Sequence, residues 1–463
     1  MQLNYPMSSN KSSPVGTPKL GLLIIGRKRP GFDMEWARQI ESGSLDTLNA
    51  LGFGVVIKAR AVDDASLQEA LASLRTAGVN TLVVGQPTIG DGRLAPAIGQ
   101  LWNDPVLLWA TPERPEADKV TACALVGQHL FASLLRQLHR PFEIVYGPTN
   151  DAKTRSALAD AVRLIHTACA MKRTKVGLVG SHVPGFANMH VDPPCLTDAL
   201  GAQIVQLGLH EFIELAKTID ENRVKTEVEK IRALKLPAEA GIGDAEFTTD
   251  ARYSLAMEEL MSVQGLAALA VRCWPELPDV VGQWPYLAFA RLASEHKAIA
   301  LEGDADGALA SLISELLGMG PSFITDWLAH DEHTLTAWHP GMAPFQLSTA
   351  VGTHGGPRLS RHFNNRKPLC VDAELRTDMD VTLFRLWSCD GRYQLTAVEA
   401  RTERLKPALA GNSALLRLAD RSVPRWFDDL CHAGMPHHLS IAEGKHAETM
   451  RRFARLVGLS FLG

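Results

Sequence analysis

The chain alternates short, wholly apolar runs with longer stretches in which apolar positions recur every three or four residues. Residues 20–26 (LGLLIIG) are the first such run. It is too short for a helix, ends in glycine, and reads as a strand buried on both faces. A helical stretch through 36–52 follows, then a strand at 54–60, a helix at 65–78, strands at 80–86 and 106–112, and a helix at 124–138. Strands alternating with helices predict a parallel, doubly wound sheet. This unit closes with the apolar run at 142–147 and the helical pattern at 156–171.

The same alternation restarts at 174–186 and continues through 202–209, a charged helix at 224–236, and apolar runs at 265–274 and 298–304, ending with a helix at 307–318. Beyond about residue 340 the period changes. Two strand-like runs flank Cys389-Asp390-Gly391-Arg392, where the Asp-Gly step signals a tight hairpin. With 346–352, 413–419 and 437–444 they form an antiparallel β region, closed by a helix at 446–459. The expected fold is therefore α/β: two tandem Rossmann-like parallel-sheet domains followed by a smaller antiparallel β-rich C-terminal domain. The expected boundaries are a disordered lead-in at 1–19, then 20–172, 173–342 and 343–463.

A chain of 463 residues that is 46% hydrophobic buries a large core without covalent staples. Its net charge of -4 lacks the basic footprint of a nucleic-acid binder. Residues 1–19 contain no apolar core of a secretory signal, and no run is long enough to span a membrane. The seven cysteines are odd in number and form no CxxC pair, which points to a reducing compartment. The expectation is a cytoplasmic protein with no nucleic-acid or membrane partner.

Function in α/β sheets sits at the carboxyl ends of strands. The run 298–304 places Glu302 and Asp304 there, just before a helix. Asp326 follows the short strand-like run SFIT at 322–325, His339 lies in AWHPG, and His437-His438 opens the run HHLSIAEG. Carboxylates and imidazoles at such positions can converge on one divalent cation. Two carboxylates, an imidazole and water suit manganese or magnesium better than zinc. On the residues alone, Glu302 and Asp304 read equally well as acids of a helix N-terminus. Within a strand, His437 and His438 face opposite sides, so one of them at most enters a given site.

The ordered set EGD, SFITD, AWHPG and HHLSIAEG resembles the L-fucose isomerase and L-arabinose isomerase superfamily. In arabinose isomerases a Glu of EGD, a Glu of SFMED, a His of GSHM and the second His of AHH hold the metal. The matching positions here are Glu302, Asp326, His339 and His438. Fucose isomerases use a Glu, an Asp and a C-terminal His, and Asp326 follows that version. The resemblance implies Mn2+, or another divalent cation such as Mg2+ or Co2+, held by Glu302, Asp326 and His438. It implies that Glu302 and Asp326 also shuttle the proton of an aldose–ketose isomerisation through a metal-stabilised cis-enediolate. The implied substrate is a small-molecule sugar, a pentose or a 6-deoxyhexose, and the implied assembly is a homo-oligomer, a trimer or hexamer. His339, Trp274 and Glu276 are candidate substrate contacts. Arg29, in the segment 26–33, matches an Arg that reaches a neighbouring subunit's site. This chain departs from the family in its shorter C-terminal region and in AWHPG.

Two other readings remain at this stage. Tandem Rossmann-like lobes also build non-catalytic sugar-binding proteins, and an epimerase or aldolase shares the first proton abstraction. The glycine turns after the strands lack GxGxxG, which disfavours a nucleotide-dependent oxidoreductase.

Overall fold

The computed structural model describes residues 16–26, 32–406 and 409–463. Arg29 lies outside them. The chain divides into two compact units, Gly16–Met171 and Lys172–Gly463.

In the first unit, β1 (Leu20–Ile25), β2 (Ile57–Ala61), β3 (Thr81–Gly85), β4 (Val106–Ala110) and β5 (Phe142–Tyr146) form a parallel sheet of order β2-β1-β3-β4-β5. Every residue of β1, β3 and β4 is buried, as helices on both faces of a parallel sheet require.

The second unit opens with a parallel sheet of β6 (Lys175–Val179), β7 (Gln203–Leu207), β8 (Ala268–Val271) and β9 (Ala298–Ala300), in the order β7-β6-β8-β9. The chain then builds a nine-stranded sheet. It contains β10 (Phe323–His330), β11 (Thr334–His339), β12 (Arg358–Ser360), β13 (Cys370–Glu374), β14 (Asp380–Cys389), β15 (Arg392–Glu403), β16 (Asn412–Leu418), β17 (His438–Glu443) and β18 (Ser460–Leu462). The order is β12-β13-β16-β11-β10-β17-β14-β15-β18, and β15 pairs again with β16. That extra pairing closes six strands into a ring, which leaves no open edge within it. The hairpin between β14 and β15 turns at Asp390 (φ 51°) and Gly391 (φ 69°), the left-handed pair that a two-residue turn demands.

The expected fold class is the observed one: two parallel α/β sheets and an antiparallel β-rich region. The nine-stranded sheet already begins at Phe323, so the expected boundary at 342 falls after its first hairpin. The consequence is that Asp326 and His339 stand on the ring, whereas Glu302 stands in the turn that follows the last strand of the parallel sheet. Between them runs the helix Ala305–Leu317, buried continuously from Ala305 to Ser314. It packs on β6, β8 and β9 on one side and on β14 and β17 on the other. A helix enclosed this way needs apolar residues all round, which is why residues 308–313 (ALASLI) show no polar face.

Candidate active site

Three backbone facts place the central carboxylate. Strand β9 ends at Ala300, Glu302 adopts φ 59° and Gly303 φ 72°. A left-handed glutamate stores strain of about 1–3 kcal/mol, which the surrounding structure must hold. Here the Glu302 carbonyl accepts from the Val183 N–H (3.3 Å) and the Gly303 N–H donates to the Val271 carbonyl (3.1 Å). A Cβ on Gly303 would lie 2.1 Å from the Ser181 carbonyl oxygen. Gly303→Ala is therefore expected to destabilise the fold by at least about 1–3 kcal/mol, measurable as a lower melting temperature of the purified variant; wild-type melting would contradict this account of the turn.

Asp304 N-caps the enclosed helix by accepting from the Gly307 N–H (2.8 Å). Its carboxylate takes both guanidinium nitrogens of Arg385, Nη2 at 2.8 Å, and meets His438 Nδ1 at 2.9 Å. All three side chains are fully buried. Burial alone would push the Asp304 carboxyl up, but the Arg385 charge and the His438 contact outweigh it and hold it well below the usual range.

Sheet register supplies the rest. Asp326 on β10 stands directly opposite His438 on β17 and Trp338 on β11, and directly opposed residues project from one face. His438 Nε2 lies 3.4 Å from Glu302 Oε2 and 3.7 Å from Asp326 Oδ1. His339 Nε2 lies 3.8 Å from Glu302 Oε1, which also accepts from the Trp274 indole N–H at 2.8 Å. Burial would raise the Glu302 carboxyl, yet its contacts with His339, His437 and His438 hold it far below the ordinary carboxylate range. Burial would lower His438, yet Asp304 and Glu302 push it up to about 10.

These donors fit a divalent cation. Among the described residues, the buried His438 Nε2 has no hydrogen-bond partner. Its distances to the two carboxylates are too long for hydrogen bonds. They suit ligands of one ion: at about 2.1 Å from a metal, neighbouring ligands sit about 3 Å apart and opposite ones about 4.2 Å. Candidate ligand atoms of Glu302, His339 and His438 lie within 4.8 Å of one another, as do those of Asp326, His437 and His438. His438 Nδ1 meets Asp304, and Asp304 meets Arg385, the kind of outer support that would orient an imidazole toward an ion. A proton on Nε2 and a cation are alternatives for the same lone pair.

A cavity of about 310 Å³ opens onto these groups, with Glu302, Asp326, His339 and Trp274 in its wall. That is the small end of the range for ligand pockets, about 300–1,000 Å³. Glu276 is not in that wall; it is paired with Arg272 at 2.7 Å, and Arg272 in turn donates to Ser181 Oγ at 3.2 Å. His437 differs from expectation. Its Nε2 lies 4.0 Å from both Glu302 Oε2 and Asp326 Oδ1, on the same side as His438. The alternation of a strand does not apply to it, because β17 begins at His438 and His437 lies in the bend before. The ring of His437 is held by Asn188 (3.2 Å) and by Phe186 (centroids 4.8 Å apart). Sequence reasoning also missed Arg385, whose one signal was a lone charge inside the apolar run of β14, and the remaining cavity wall of Trp284, Tyr286, Trp338 and residues 362–365.

No protein-family model matches the chain. Curated proteins do. Sulfoquinovose isomerase from Priestia aryabhattai is 24% identical over 440 residues, 94% of this chain and 96% of that protein. Sulfoquinovose isomerase from Alkalicoccus urumqiensis is 25% identical over 384 residues, 82% of this chain and 85% of its own length. Among solved structures, the glucose-galactose binding protein GanP from Geobacillus stearothermophilus reaches a TM-score of only 0.17, at 13% identity over 65% of this chain and 92% of that one, and bears on neither fold nor function. The end-to-end likeness to sugar isomerases supports an isomerase as the class of enzyme.

Proposed function

We propose that the chain is a divalent-metal-dependent aldose–ketose isomerase whose substrate is a 6-deoxyhexose carrying a sulfonate, the chemistry of sulfoquinovose. One observation carries the reading: His438 Nε2 lies 3.4 Å from a Glu302 oxygen and 3.7 Å from an Asp326 oxygen, and these two carboxylates, from distant segments, line one cavity. The expected pentose or 6-deoxyhexose narrows to the sulfonated case through the relatives' names. A similarity to fucose and arabinose isomerases remains consistent with the same residues.

Aldose–ketose isomerisation moves a proton between C1 and C2. Glu302, Asp326, His438 and, by its position, His339 would hold the cation. A bound cation supplies Lewis-acid polarisation of the two oxygens and offsets the negative charge that develops on them. The Trp274 indole fixes Glu302 Oε1, so the lone pairs of one oxygen have a set direction. The Glu302 carboxylate is held ionised, and its place in the cavity wall makes it the group that would take the carbon-bound proton. Asp326, part-exposed at the cavity, would take the proton of the hydroxyl that becomes the carbonyl and return it to the neighbouring carbon, while Glu302 would give its proton to the former carbonyl oxygen. Trp274 covers an apolar face of the sugar and excludes water from the reacting carbons.

The test follows C1/C2 proton exchange in deuterated water with sulfoquinovose, 6-deoxyglucose, L-fucose and L-arabinose, with Mn2+ and after chelation. Exchange with sulfoquinovose that is lost on chelation and restored by Mn2+ is expected; exchange that survives chelation, or none with any of the four sugars, would overturn the reading. An epimerase would show itself by its product. In the same assay His438→Ala is expected to weaken Mn2+ binding by about tenfold or more beyond His437→Ala, because His438 alone is braced by Asp304.

A further inference from the structure

The segment between β12 and β13 lacks regular structure, yet it is tied down throughout. The His362 N–H donates to the Lys367 carbonyl (2.9 Å) and the Arg366 N–H to the His362 carbonyl (3.0 Å), closing a compact loop. Trp284 stitches that loop to the parallel-sheet half of the unit. Its backbone N–H donates to the Pro368 carbonyl (2.6 Å) and its indole N–H to Asn365 Oδ1 (3.1 Å). Lys367 Nζ adds bonds to the Pro278 carbonyl (2.6 Å) and Asp279 (3.1 Å). Such cross-bracing is what a site needs when it must hold one side chain to within a fraction of an ångström.

The side chain so held is His362. Its ring stacks on Trp284, with centroids 4.3 Å apart and planes at 19°, while Phe363 lies against it at 4.6 Å. The residue is only 7% exposed, and it lines the same cavity as Glu302, Asp326 and His339. The Asn364 backbone N–H points at His362 Nδ1 (3.3 Å). Nδ1 is therefore the acceptor, and the neutral ring carries its hydrogen on Nε2. No described residue accepts that hydrogen. Tyr286 stands between His362 and His339, its ring 6.3 Å from the first and 6.0 Å from the second. His362 is thus one aromatic ring removed from the acids and imidazoles around Glu302, a place for the part of the substrate beyond its reacting carbons.

We infer that His362 is a substrate-recognising residue: its Nε2–H donates a hydrogen bond to a hydroxyl oxygen of the sugar beyond C2. Burial, followed by the nearby His339, pushes the imidazole down to about 4, so it stays neutral at physiological pH and its tautomer does not change there. A buried neutral donor discriminates well, because a sugar lacking the partner hydroxyl leaves the N–H unsatisfied. The inference rests on the isomerase reading for the identity of the ligand, but its test does not depend on turnover.

Two substitutions separate recognition from mere stacking. His362→Phe keeps a ring on Trp284 and removes the donor; His362→Gln loses the stack but places an amide N–H near the position of Nε2. Binding of sulfoquinovose to the Mn2+-loaded protein is measured by calorimetry, alongside KM, kcat and Mn2+ content. We expect His362→Phe to weaken sugar binding and raise KM about tenfold, with kcat and Mn2+ content within about threefold of wild type, and His362→Gln to recover most of the affinity. One monodeoxy analogue should bind His362→Phe and wild type equally. The opposite order, with Phe tolerated and Gln damaging, would mean that His362 is only a stacking residue and would overturn the proposal. Failure of the wild type to bind sulfoquinovose at all would also overturn it. Intact binding with no proton exchange would instead remove the isomerase reading and leave the role of His362 to be judged by the order of the two variants.

Discussion

Glu302→Gln is expected to reduce C1/C2 proton exchange by about 10²–10⁴-fold, the usual worth of a positioned acid–base group. The amide is nearly isosteric and can still accept from the Trp274 indole through its oxygen, so the cavity should keep its shape. What disappears is a charge that His339, His437 and His438 all face. Mn2+ affinity should fall together with exchange, because one carboxylate would both bind the ion and move the proton. Calorimetry with Mn2+ and deuterium incorporation measured on one preparation separate the two losses. Exchange within about tenfold of wild type would exclude Glu302 as the proton-transferring base, and normal Mn2+ affinity would remove it from the ligand set.

Much of this arrangement was legible in the sequence, and the limits have physical causes. The all-buried runs of β1, β3 and β4 mark a parallel sheet because only helices on both faces permit them. The Asp390-Gly391 turn is legible because few residues tolerate its backbone. Glu302 was visible as an acid at a strand end, although nothing in the run 298–304 reveals its left-handed backbone. Asp326 and His438 were visible singly; that they face each other follows from the register of β10 on β17, which is a property of the assembled ring. His437 was misplaced because a period-two rule was extended one residue past the start of a strand. The loop that carries His362 has no period at all. Its order comes from bonds that Trp284 donates to it and that Lys367 donates to Pro278, which no local pattern encodes.

Arg385→Met is expected to cost about 3–5 kcal/mol of stability, the penalty for leaving a buried charge without its partner. Arg385 is 1% exposed and gives two guanidinium nitrogens to Asp304, itself wholly enclosed. Without that charge, burial acts against the ionised Asp304 carboxyl with only His438 left to oppose it. Asp304 then either carries an uncompensated charge or takes up a proton, and in the second case it is a poorer partner for His438 Nδ1. Loss of such outer support lowers metal affinity about 10–100-fold. The double variant Arg385→Met/Asp304→Asn distinguishes the two effects. Removing both charges should restore much of the lost stability, since neutral groups of similar size replace a buried pair at little cost. It should not restore Mn2+ affinity, because a neutral amide in place of the Asp304 carboxylate would not supply the anion that orients the imidazole and strengthens it as a ligand. Thermal melts and Mn2+ titrations of wild type, single and double variants give the comparison. Recovery of both quantities in the double variant would show that Asp304 serves the helix N-terminus alone and has no part in holding His438 for an ion.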